Sequence, residues 1–137
     1  SRLALIRRIR ELVGDDFLIL VNTNERTAPL SAPYANGTFM ELYKPDWSAG
    51  YTREAVIDIE ETLTWATEAF REPRINCLEG WRVVTDYGDA AAQVDERNSE
   101  ENRQWMRLFT AMALTHSDEM VVFGDDNAEP THAEAAS

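Results

Sequence analysis

The chain has 137 residues, 44% of them hydrophobic, and a formal net charge of −12 at pH 7. This size fits one globular unit. The acidity argues against nucleic-acid binding, which needs a basic surface, and equally disfavours anionic membrane surfaces. No apolar run is long enough to span a membrane. One cysteine and two dispersed histidines exclude metal sites of the Cys/His kind, so we expect no metal and no cofactor.

The chain begins with a predicted helix and a predicted buried strand. Apolar residues recur at helical spacing over residues 3–13, which predicts a helix with one buried face. That face consists of Leu3, Ile6, Ile9, Leu12 and Val13. The run FLILVN (17–22) is apolar without alternation, as in parallel strands that are covered on both faces. A loop over residues 23–37 follows, with Asn36-Gly37 as a turn dipeptide.

The middle of the chain has the pattern strand, helix, strand. TFMELYK (38–44) is the second predicted strand, and INCLEGWRVV (75–84) is the third. Between them Thr52 caps a helix over residues 53–70, which Pro73 terminates. Its apolar stripe consists of Val56, Ile59, Leu63, Ala66 and Phe70.

The last part of the chain adds one more helix and one more strand. The polar segment 85–98 predicts a loop, after which Ser99 caps a helix. The stripe of this helix contains Trp105, Leu108, Phe109, Met112 and Ala113. EMVVFG (119–124) is the fourth strand, and residues 125–137 predict an acidic, disordered tail. Parallel strands joined by helices predict an α/β fold, either a barrel or a doubly wound sheet.

Polar side chains recur at the predicted carboxyl ends of the strands, where parallel α/β folds hold their chemistry. Glu41 and Glu79 each stand among apolar neighbours at matching positions. Glycoside hydrolysis uses two such carboxyl groups, one as the acid and the other as nucleophile or base. We therefore predict both glutamates to be catalytic, without assigning the two roles. The predicted substrate contacts are Asn22, Asn24, Tyr43, Trp81 and Asp125. Alternatively, each glutamate faces solvent on a half-buried strand.

Four segments carry a resemblance to a known group of proteins. They are ALIRRIRELVGDDFLILVNTN, YANGTFMELYK, INCLEGW and NRQWMRLFTAMALTHSDEMVVFGDDN. Over roughly residues 3 to 127 the chain resembles the C-terminal half of a glycoside hydrolase-like (β/α)8 barrel. The similar proteins are bacterial glycosyl-hydrolase-like proteins and the endo-α-1,4-polygalactosaminidase group. The family's "NG…E" strand matches Asn36-Gly37 and Glu41, and its later acidic strand end matches Glu79.

The resemblance implies that residues 1–124 form half of a barrel, with about four strands and three main helices. A further acidic residue of the family, in a "DG…DN" segment, would precede everything in this chain. The implied partners are a carbohydrate substrate and either the missing N-terminal half or self-association through open sheet edges. The chain opens on Ser1, so we expect its natural N-terminus to be absent, which leaves localisation open. The alternative is a small acidic α/β module that binds another protein and has no catalytic activity.

Overall fold

The computed structural model describes residues 1–42, 51–80, 89–116 and 120–124 of the chain. The fold is α/β with a parallel sheet, as predicted. The helices are α1 (Arg2–Val13), α2 (Arg53–Ala69), α3 (Ala90–Arg97) and α4 (Glu100–His116). The strands are β1 (Leu20–Asn22), β2 (Gly37–Leu42), β3 (Ile75–Gly80) and β4 (Met120–Gly124). A 3-10 helical turn, Ala32–Tyr34, lies between β1 and β2.

The sheet follows the chain without any exchange of strand order. Its order is β1-β2-β3-β4, and all three strand pairs are parallel. Within the described part of the chain, β1 and β4 are therefore the two edge strands. Parallel neighbours need a crossover of about a dozen residues or more, usually a helix. Strands β1 and β2 are joined by residues 23–36, which contain the 3-10 turn.

Helices α1, α2 and α4 pack on one face of this sheet. Met40, Leu42 and Leu78 are fully buried on that face and share a core cluster with residues of α2 and α4. The helical members of this cluster are Ile59, Leu63, Phe109, Met112 and Ala113, with Tyr51 from the segment before α2. Because alternate strand residues point to opposite faces, the same register places Phe39, Glu41 and Glu79 on the other face.

A second cluster lies at the β1 end of the same helical layer. It joins α1, the 3-10 turn and the C-terminal end of α2. Its buried members are Ile6, Ala32, Ala35, Ala66 and Phe70, against which Ile19 and Val21 pack. Val21 is in register with Thr38, two residues before Met40, so α1 lies on the same face as α2 and α4.

Helix α2 matches its prediction closely. Thr52 accepts a hydrogen bond from the Ala55 backbone N–H at 3.2 Å, which caps the helix as expected. Ile59, Leu63 and Ala66 of the predicted stripe are fully buried. At α4 the predicted cap is also present, since Ser99 Oγ accepts from the Asn102 N–H at 3.2 Å.

The predicted buried face of α1 was right at Leu3 and Ile6 and wrong at Ile9, Leu12 and Val13. Its buried residues are Ile6 and Arg10, whereas Leu12 is 67% exposed and Ile9 and Val13 are also exposed. The helix is rotated because the Arg10 guanidinium lies inside the protein. It donates to the carbonyl oxygens of Gly14, Phe17 and Tyr34 and to Asn36 Oδ1, at 2.7–2.9 Å.

Two other predictions in this region were also wrong. FLILVN is not a strand covered on both faces, because only Leu20–Asn22 is extended and Leu18 and Leu20 are exposed. The pair Asn36-Gly37 is not a surface turn, because both residues are buried and Gly37 begins β2. Gly37 lies so close to β3 that a Cβ atom would overlap the Ile75 carbonyl oxygen.

The predicted loop 85–98 contains α3. Asp89 Oδ1 accepts from the Ala92 N–H at 3.0 Å and starts this helix, so a polar composition did not prevent helix formation. The predicted tail, residues 125–137, lies outside the described residues. None of the described helices is both long and apolar enough to cross a membrane.

Candidate active site

The two predicted catalytic glutamates lie side by side in the sheet. Glu41 of β2 is the register partner of Glu79 of β3, so both side chains leave the sheet on the same face. Neighbouring strands are about 4.8 Å apart, which makes these two residues direct neighbours. Both are half-buried, and both lie near the carboxyl ends of their strands. This face is opposite to the one that α1, α2 and α4 cover.

Asn22, at the end of β1, reaches the same pair. Its Nδ2 donates a hydrogen bond to Glu41 Oε2 at 3.1 Å. The Asn22 side-chain oxygen in turn accepts from the Asn24 backbone N–H at 3.3 Å. Asn24 has a φ of 51°, a left-handed conformation that asparagine tolerates better than most residues. The turn after β1 therefore fixes the Asn22 amide in the direction of Glu41.

Cys77 precedes Glu79 by two residues and lies on the same face of β3. Its thiol is buried and unbonded to any other cysteine. Burial raises the pKa of the Cys77 thiol, and the nearby Glu79 carboxylate raises that pKa further. A raised pKa keeps the sulfur protonated, so Cys77 is a packing residue at this site and not a nucleophile.

Three of the seven predicted site residues lie outside the described part of the chain. These are Tyr43, Trp81 and Asp125. Among the other four, the structure brings Asn22, Glu41 and Glu79 together on three adjacent strands. Asn24 contacts this group through its backbone.

The arrangement offers two carboxyl groups and one amide, a set of groups that can exchange protons and bind hydroxyls. Over the described ranges, no three His, Cys, Asp or Glu side chains come together to hold a metal ion. Carboxyl groups by themselves can act as acids, bases or nucleophiles.

No pattern in the sequence predicts a groove that the structure contains. The groove has a volume of about 790 Å³ and lies between the turn after β1 and helix α2. Its lining residues are Glu25, Arg26, Thr27, Asp58, Glu61 and Thr62. None of the four predicted site residues that the structure describes lines it. In the sequence, the turn of α2 that carries Asp58 and Glu61 predicts only an ordinary solvent-exposed helix face.

Comparisons of the chain with protein-family models, with curated proteins and with solved structures found no significant match.

Proposed function

We propose that this chain is the C-terminal half of a (β/α)8 barrel from a carbohydrate-active hydrolase, with Glu41 and Glu79 as its catalytic carboxyl groups. The observation that carries the proposal is the register of these residues. Two glutamates on adjacent parallel strands, near the carboxyl ends and away from the helical layer, match what glycosidic hydrolysis requires.

The one-sided helical layer supports the half-barrel part of the proposal. A doubly wound sheet has helices on both faces, whereas a barrel has them only on the outside. Here α1, α2 and α4 share one face, and the strand order is sequential. The face that carries Glu41 and Glu79 would be the inside of the barrel, with the pair opening at its catalytic end.

The exposed edge at β1 favours a part of a barrel over a complete small binding module. Leu18 and Leu20 are 43% and 46% exposed, and on the described chain β1 pairs with β2 alone. A complete domain normally protects such an edge with lysine, proline, a bulge or a covering element. If the neighbouring strands of a barrel were absent, apolar side chains would be left exposed at an unpaired edge, as they are here.

Asn22 supports an assignment of the two roles. A nucleophile must be held in one orientation toward the anomeric carbon, and the hydrogen bond that Asn22 Nδ2 donates to Glu41 Oε2 supports such an orientation. Glu41 then attacks the anomeric carbon while Glu79 protonates the departing oxygen. In the second step Glu79 takes a proton from water, whose oxygen displaces Glu41. Because Glu41 acts as the nucleophile in this proposal, we expect retention of configuration, for which the two carboxyl groups would have to lie about 5–5.5 Å apart.

The test is hydrolysis by the purified chain of a panel of polysaccharides that includes α-1,4-linked polygalactosamine. Release of reducing ends should fall by at least about 10²-fold in Glu41→Gln and in Glu79→Gln, because each variant loses a group that transfers a proton or attacks. The anomeric form of the first product, read by NMR, should be that of the substrate.

Glu68→Gln is the matched control for these variants. Glu68 is exposed on α2, away from the carboxyl pair, so its variant should hydrolyse the substrate at the wild-type rate. Wild-type rates in Glu41→Gln and Glu79→Gln would assign the hydrolysis to other residues. Failure of the wild-type chain to cleave any member of the panel would reject hydrolysis by the 137-residue chain alone.

A further inference from the structure

Exposed apolar side chains are concentrated at the two edges of the sheet. Twelve large apolar residues are exposed in the described part of the chain. Eight of them lie within residues 5–30, on α1 and around β1, and three lie on α4. At the β1 edge they are Leu5, Ile9, Leu12, Val13, Phe17, Leu18, Leu20 and Leu30, and on α4 they are Met106, Leu108 and Leu114. Only Ile57, on α2, belongs to neither edge.

Helix α1 has two apolar faces, of which its own chain covers one. Ile6 packs into the cluster beneath the helix. The other face repeats at helical spacing through Leu5, Ile9, Leu12 and Val13, and all four are 37–67% exposed. An exposed apolar helix face beside an unpaired strand edge is typical of an interaction surface.

Helix α4 has the same property at the opposite edge. Phe109, Met112 and Ala113 are buried in the core, and α4 packs along both β3 and β4. Leu108 is nevertheless 39% exposed and Leu114 is 76% exposed. Within the described part of the chain, the strand at each edge of the sheet is paired on one side only and lies near exposed apolar helix residues.

We propose that two copies of this chain join edge to edge, so that β1 of each pairs in parallel with β4 of the other and eight strands close a barrel. A two-fold axis along the barrel makes the two junctions identical, as a closed dimer requires. Eight strands are the number at which such a barrel closes around its own side chains. This inference rests on the half-barrel part of the proposed function and names the partner that completes it.

The charges of the two edges are complementary in this arrangement. Helices α1 and α4 are each followed by a strand of the sheet, so both are antiparallel to the strands. The N-terminal ends of the two helices therefore lie at the carboxyl ends of the strands. The first two turns of α1 carry Arg2, Arg7 and Arg8, of which Arg7 and Arg8 share a single partner, Glu11. Helix α4 begins with Glu100 and Glu101, of which Glu100 pairs with Arg107. Parallel pairing of β1 with β4 of the partner brings the basic start of α1 toward the acidic start of α4. The chain has a net charge of −12, so most of its surface repels a second copy. The attraction between the start of α1 and the start of α4 therefore favours association at these edges.

The experiment is a mass measurement of the purified chain by light scattering during size exclusion. We expect a discrete species at twice the chain mass of 15.6 kDa. Leu12→Lys and Leu114→Glu should each give monomers, because each places an unpaired charge in both junctions. Mixing the two variants should restore a dimer, because one junction then has both native leucines and the other pairs the lysine with the glutamate.

Ile57→Lys is the control, since Ile57 is 37% exposed on α2, between the two edges, and the variant should stay dimeric. Circular dichroism of the monomeric variants should remain that of the wild-type chain, because Leu12 and Leu114 contribute little to the core. A monodisperse wild-type monomer, or aggregation without a discrete dimer, would overturn the proposal. So would a dimer that Leu12→Lys disrupts and Leu114→Glu leaves intact, because that pattern indicates a contact between two α1 helices. None of these measurements uses a carbohydrate, so their outcome is independent of the hydrolysis assay.

Discussion

The pKa of Cys77 reflects the burial and the negative charge of the candidate site. Cys77 is buried in β3, two residues before Glu79 and on the same face. Burial raises the pKa of its thiol, and the Glu79 carboxylate raises that pKa further. A thiolate at this position would be poorly solvated and would face a like charge. The residue is therefore compatible with the site only as a neutral thiol.

The raised pKa of Cys77 predicts a loss of stability at alkaline pH. The folded chain keeps the thiol proton at pH values where the unfolded chain has lost it. The resulting contribution is fully present below the unfolded pKa of about 8.5 and disappears as pH rises through the folded pKa. Cys77→Ala lacks this titration. The free energy of unfolding, measured in urea, should therefore differ between wild type and variant by less at alkaline pH than at neutral pH.

Met112→Ala is the matched control for the alkaline titration. Met112 is also buried and has no titratable group, so its cost should be the same at neutral and alkaline pH. Wild-type and Cys77→Ala stabilities that run parallel over the whole pH range would show that the Cys77 thiol titrates alike in the folded and unfolded chains.

At the scale of secondary-structure elements, the buried pair Arg10 and Asn36 joins α1 to the sheet. Arg10 Nη2 donates to Asn36 Oδ1 at 2.8 Å, and the same oxygen accepts from the Ile19 N–H at 3.1 Å. The Asn36 amide donates to the carbonyl oxygens of Glu72 and Pro73, both at 3.2 Å. One asparagine thus connects the helix, the approach to β1 and the approach to β3.

Loss of the Arg10 guanidinium should destabilise the chain strongly. Arg10→Ala leaves buried acceptors without their donors, and hydrogen bonds to charged groups contribute about 1.5–3 kcal/mol each. We expect the free energy of unfolding in urea to fall by about 3 kcal/mol or more. Arg10→Lys should recover only part of this, because an ammonium group lacks the planar fork of donors.

Arg7→Ala is the control on the same helix. The Arg7 side chain is 63% exposed and pairs with Glu11 at 3.8 Å, so its loss should cost less than about 1 kcal/mol. Equal costs for Arg7→Ala and Arg10→Ala would mean that the buried network adds little to stability.

The sequence predicted elements well where burial follows hydrophobicity and poorly where a polar group is buried. The stripe of α2 was correct because apolar spacing and burial coincide in that helix. For α1 the same reasoning chose the face of Ile9 and Leu12, since arginine is almost never expected inside a protein. The strands β2 and β3 were predicted, whereas the placement of Gly37 within a strand depends on a close backbone contact that sequence does not reveal.

For the candidate site, the sequence predicted which residues lie at the strand ends but not how they are arranged relative to one another. Apolar runs that end in glutamate indicated Glu41 and Glu79 separately. Their alignment depends on the register of β2 against β3, and a shift by one residue would place them on opposite faces. The bond from Asn22 to Glu41 also depends on the left-handed turn at Asn24, which the loop composition did not specify.

At the scale of the whole molecule, one layer of helices covers one face of the sheet. The opposite face holds Phe39, Glu41 and Glu79, all half-buried. A parallel sheet is normally covered on both faces, and a barrel meets this requirement by curving its inner face around itself. Closure by a second copy would protect the inner face and both edges in one step.

Closure makes the stability of the chain depend on its concentration. If folding and pairing of the edges are coupled, mass action stabilises the dimer as the chain becomes more concentrated. The midpoint of thermal unfolding should then rise with chain concentration for wild type and for Ile57→Lys. It should stay constant, at a lower temperature, for Leu12→Lys, whose α1 surface carries an unpaired charge. A single sharp transition at the same temperature for every wild-type concentration would mean that the 137-residue chain is stable by itself, which is the behaviour of the alternative, a small acidic binding module.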